Sequence, residues 1–93
     1  MIKDNNTFIY DFIDLQEIGR RLGLIVAKFE NGREGAQTVA NISSFTLDRY
    51  LAGKTRRIDL VCMAAICRAQ GINLNWLLYG DDFSMYLDNV ELS

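Results

Sequence analysis

Ser44, Phe45, Asp48 and Arg49 lie one, three and one residues apart, a spacing that puts them on one side of a helix. Together they offer a hydroxyl, a flat apolar ring, a carboxylate that only accepts and a guanidinium that only donates. Those groups match the edges that bases show in the major groove of B-DNA. Arg49 could grip guanine in a bidentate fork, and Phe45 could touch a thymine methyl. Asp48 could accept from cytosine N4, and Ser44 could bond a base or a phosphate. On either side of them in the sequence lie Arg33, Gln37, Lys54, Arg56 and Arg57, of types suited to phosphates, where contacts position a protein rather than specify a sequence. Each has an ordinary alternative. Phe45 could fold into the core, since large exposed aromatics are uncommon. Asp48 could orient Arg49 or repel the backbone, Arg49 could be a plain surface arginine, and Lys54, Arg56 and Arg57 could be a solvated loop.

The net charge of the 93-residue chain is -2, which argues against a uniformly basic nucleic-acid binder. Its distribution says more than its sum. Residues 32–57 hold Arg33, Arg49, Lys54, Arg56 and Arg57 against Glu34 and Asp48, a local net of +3. Residues 80–93 hold Asp81, Asp82, Asp88 and Glu91, a local net of -4. There is no His, no Cys-x-x-Cys, no Gly-rich phosphate loop and no paired carboxylate site, so the chain reads as a non-enzyme without cofactor or metal. Cys62 and Cys67 are five apart on an expected helix and face different ways, so they are read as reduced packing residues. The absence of a long apolar run and of a basic-then-apolar start predicts a cytoplasmic protein, with no membrane partner.

The elements that must position these groups are all helical. Residues 1–14 form an expected N-terminal arm. Its Phe8–Ile13 stretch is apolar and reads as a short strand, or as a helical turn packed on the domain or on a second subunit. Asp14 and Glu17 have capping-box spacing, and Leu15, Ile18, Leu22, Ile25 and Phe29 then repeat as one helical stripe. That predicts a first helix over about 15–29, ended by Asn31-Gly32. A second helix is expected over 33–40, with Ala36, Val39 and Ala40 as small packing positions. Asn41 supplies a left-handed turn, Ile42 plugs it, and Ser43 caps a third helix with Leu47 and Leu51 inward and Gly53 as its stop. Asp59 caps a fourth helix to about Gln70. Asn73 caps a short fifth over 74–78, with Trp76 as its anchor. Residues 15–80 thus make one domain, and 81–93 a tail whose Phe83, Tyr86, Leu87, Val90 and Leu92 suit a helical stripe or a strand.

Asn41-Ile-Ser-x-x-Thr-Leu-x-Arg-Tyr-Leu-x-Gly-Lys54, followed by Gly71-Ile-Asn-Leu-Asn-Trp-Leu-Leu-Tyr-Gly-Asp81, resembles the lambda-repressor-like helix-turn-helix superfamily. The closer likeness is to the DNA-binding domains of bacteriophage CI-type repressors, over about residues 15–82. The resemblance implies an all-α, compact five-helix bundle with an apolar N-terminal arm and an acidic and apolar C-terminal tail. Two positions depart from the pattern: Gln37 stands where a small Ala is usual, and Asn41 stands where the turn usually has Gly.

The resemblance also implies a function: a sequence-specific transcription regulator, a phage or prophage repressor, binding a palindromic double-stranded DNA operator as a homodimer through the helix at about 44–52. Candidate dimer surfaces are the arm, the tail, and the expected fourth helix, where Val61, Cys62, Ala64 and Ala65 spread apolar character around its girth. The expected place is the nucleoid of a bacterial host cell. The alternative is a module of the same fold that binds a protein partner, an anti-repressor or an inhibitor of another regulator. The acidic balance and the apolar arm favour that alternative.

Overall fold

The computed structural model describes residues 13–55 and 57–87. It is an all-α bundle of five helices: α1 (Leu15–Val26), α2 (Arg33–Ala40), α3 (Ser44–Ala52), α4 (Leu60–Ala69) and α5 (Leu74–Tyr79). Four begin on a side-chain cap. Asp14 Oδ1 accepts from the Gln16 and Glu17 amides, Ser43 Oγ from Thr46, Asp59 Oδ1 from Val61 and Cys62, and Asn73 Oδ1 from Asn75. Each cap satisfies amides that a helix start leaves unpaired, a stabilisation of about 1 kcal/mol apiece. The Asp14 and Glu17 capping box forms only in half. The Glu17 carboxylate turns instead to Arg20 Nε at 2.9 Å.

Three helices end in the same wrap. Asn41, at φ 56°, takes the left-handed conformation after α2, while its amide bonds Thr38 and the Ile42 amide bonds Gln37. Gly53 and Lys54 repeat the pattern on Tyr50 and Arg49, and Gly71 and Ile72 repeat it on Arg68 and Cys67. Each pair satisfies carbonyls at the helix end and turns the chain sharply. Helix α1 stops at Val26, three residues before the expected end. The Lys28 and Phe29 amides tighten onto carbonyls three residues back, yet Phe29 still packs on the core.

The core is one cluster around Leu22, Ile25, Leu47, Met63, Ile66, Ile72 and Leu77. Helix α1 packs on α3 and α5, α2 packs on α4, and α4 packs on α5. Trp76 is buried, and its indole N–H reaches Asp81 at 3.3 Å. Both cysteines are buried free thiols, as their packing role requires. One packing expectation is corrected: Val39 is 40% exposed rather than packed, because Ala36 and Ala40 alone carry the buried side of α2. Leu51 faces inward, half-buried against the core beside α1.

Within the described residues the tail makes neither a helical stripe nor a full strand. It folds back on the α4–α5 turn through a single antiparallel bridge between Ile72 and Tyr86. The Asn73 amide donates to Met85 O and the Leu87 amide to Gly71 O, and Met85 packs on the core. The apolar arm before Ile13 and the last six residues lie outside the described residues. No helix among the described residues is long and apolar enough to cross a membrane.

Candidate nucleic-acid interface

Helix α3 is held from behind. Leu47 is fully buried, and the α3 backbone runs so close to α1 that only glycine fits at position 19. A β-carbon there would meet Tyr50 O at 2.7 Å and the Leu51 carbonyl. At the far end, Gly53 crosses the Gln16 backbone in the left-handed conformation. With its inner side locked in this way, the helix turns Ser44, Phe45, Asp48 and Arg49 to solvent, on one face as their spacing predicts.

These four form two i,i+4 pairs with different chemistry. In the first, Asp48 is engaged by Arg33, which reaches across from the start of α2 and also lies 3.4 Å from Ser44 Oγ. Arg33 was expected on phosphate and Asp48 on a base, yet each spends charge on the other. Both remain largely open to solvent, so the pair adds less than about 1 kcal/mol to stability. Its larger effect is electrostatic, since it cancels one positive charge on the α2–α3 surface. In the second pair, the Arg49 guanidinium lies over the Phe45 ring, 5.8 Å from its centroid. Arg49 Nη2 donates to Lys54 O at 2.8 Å, and the Lys54 amide donates back to Arg49 O. Arg49 is therefore anchored to the turn after α3. Phe45 is 70% exposed, which decides between its two alternatives: it does not enter the core.

The surrounding residues are placed less uniformly. Lys54 and Arg57 are exposed beyond the C-terminal end of α3, and Arg56 lies outside the described residues. Gln37 is half-buried on α2, where its carbonyl accepts the Ile42 amide and so helps close the turn. Among the described residues, no group of His, Cys, Asp and Glu could hold a metal ion.

Sequence reasoning overlooked Arg21. It is 7% exposed, donating from Nε to Leu77 O at 2.8 Å and from Nη2 to Leu78 O at 3.2 Å. It thereby ties α1 to the C-terminal carbonyls of α5, where a cation is favoured by the helix dipole. Burial lowers its pKa, opposed chiefly by the Glu17 carboxylate, and the guanidinium stays charged. The signal was present: Arg21 falls inside the apolar stripe, three after Ile18 and four before Ile25. No protein-family model, curated protein or solved structure matches this chain.

Proposed function

We propose that the chain is a sequence-specific DNA-binding transcription regulator, a repressor of phage or prophage type, whose α2–turn–α3 unit is a helix-turn-helix. Helix α3 enters the major groove, which is about 12 Å wide and accepts one helix. The observation that carries this is the outward Phe45 and Arg49 on a helix whose opposite side is buried at Leu47. Arg49 reads guanine, Phe45 packs on a methyl-bearing base, and Ser44 bonds a base edge or a phosphate. Asp48, steadied by Arg33, keeps a carboxylate oxygen for cytosine N4. Lys54, Arg57, Arg56 and Gln37 position the domain on phosphates, with Arg33 contributing what charge Asp48 leaves it. Two copies on a palindrome, with α3 helices about 34 Å apart, multiply a modest single-domain affinity. A repressor so placed occludes polymerase.

Selection of binding sites from a random duplex library, followed by affinity measured over a salt series, tests this. The expected result is an enriched palindrome whose affinity falls steeply with salt. Arg49→Ala should keep weak binding and lose selectivity. A library with no enriched site would remove the proposal.

A second function is favoured by a different observation. Leu60 and Val61 open α4 at 52% and 79% exposure, and the whole chain is acidic at -2. Those features suit a module that binds another regulator or a host factor. Capture of one stoichiometric protein partner, with no DNA affinity at low salt, would select it.

A further inference from the structure

Phe45 and Arg49 are placed to act as one reading unit, an inference that rests on the DNA-binding function proposed above. They are one helical turn apart on α3, with the guanidinium 5.8 Å from the ring centroid. Successive bases on a strand are about 3.4 Å apart, so two groups 5.8 Å apart are close enough to touch neighbouring bases at once. The Arg49–Lys54 bond uses one guanidinium N–H and leaves the other donors of the fork to bond a base. A guanidinium bonded to guanine O6 and N7 presents its flat face to whatever projects from the adjacent base. Among major-groove groups, the one that suits both that face and a phenyl ring is the 5-methyl of a pyrimidine.

We infer that each half-site contains a guanine flanked by a 5-methylpyrimidine, with the methyl resting against both the Phe45 ring and the Arg49 guanidinium. The exposure of Phe45 has the same cause. At 70% exposed, the ring is no part of the core, and its aromatic face meets the Arg49 guanidinium. A 5-methyl can come from thymine or from 5-methylcytosine. A unit of this kind therefore distinguishes thymine from uracil and methylated from unmodified cytosine.

The test uses the full chain and synthetic duplexes carrying the selected site. Replacing the thymine beside the guanine by uracil removes only the methyl, and affinity should fall about fourfold per half-site. Placing cytosine there and then 5-methylcytosine asks whether methylation restores a similar factor. Recovery means that both sources are accepted, and no recovery confines the unit to thymine. Phe45→Ala should abolish the thymine–uracil difference while retaining selection of the guanine, and Phe45→Leu should keep part of both. Far-ultraviolet circular dichroism checks that each variant is folded. A uracil site bound as tightly as the thymine site, or a methyl effect that survives Phe45→Ala, overturns the inference alone. A library with no enriched site overturns it together with the DNA-binding function.

Discussion

Two alanine substitutions one turn apart on α1 should have opposite signs. Glycine within a helix costs about 1 kcal/mol relative to alanine, so Gly19→Ala and Gly23→Ala share the same helical gain. Their surroundings differ. At Gly23 the nearest atom to an added β-carbon is Leu51 Cδ2 at 3.9 Å, an ordinary contact with a movable side chain. Gly23→Ala should therefore stabilise the domain by up to about 1 kcal/mol. At Gly19 the β-carbon meets the backbone of α3, 2.7 Å from Tyr50 O and 2.9 Å from the Leu51 carbonyl carbon. Ordinary contact begins at 3.4 Å, so α3 must retreat by at least several tenths of an ångström. Overpacking of this kind costs about 1–3 kcal/mol, which outweighs the helical gain over most of its range. In a domain this size each kcal/mol moves the melting temperature by about 4–8 °C. Thermal and urea unfolding of the two variants beside the parent reads the signs directly. A Gly19→Ala variant that melts at or above the parent would refute the close α1–α3 approach and the rigid backing it gives α3.

Further outcomes follow from other contacts. Arg21→Met keeps much of the volume but leaves the Leu77 and Leu78 carbonyls without their charged donor, and should lower the urea-derived stability by about 1–3 kcal/mol. Asp48→Ala should change stability by less than about 1 kcal/mol while freeing Arg33, and should steepen the salt dependence of nonspecific DNA binding by about one phosphate contact; an unchanged slope would mean that Arg33 does not face the duplex. Burial lifts the Cys67 thiol from an ordinary value near 9 to about 11. The folded state holds this proton after the unfolded chain has released it, so the contribution is intact below pH 9 and is lost as pH rises toward 11. Urea midpoints should fall over that window, and Cys67 should resist alkylation until the chain unfolds. Rapid native-state alkylation would contradict its burial.

The helix starts, and every helix end but that of α1, were legible from the residues because the interactions that set them are local. Asp14, Ser43, Asp59 and Asn73 cap amides two or three residues ahead, and the turns at Asn41 and Gly53 close with bonds reaching back three to five residues. The outward face of α3 was legible for a similar reason, since helical periodicity ties Ser44, Phe45, Asp48 and Arg49 to one side once Leu47 is inward. Whether Phe45 would stay outside was open at that level, because nothing local distinguishes an exposed ring from one folded inward. The ion pair from Arg33 to Asp48 spans fifteen residues and two helices, and Arg21 reaches α5 across fifty-six. Neither partner carries a mark of the other in its own neighbourhood. Nor does anything near Gly19 in the sequence mark the α3 backbone that passes beside it. The order and ends of the helices thus follow from short-range hydrogen bonding. Which charges cancel on the candidate DNA face, and what braces the helix that bears it, depend on chain segments that only folding brings within reach.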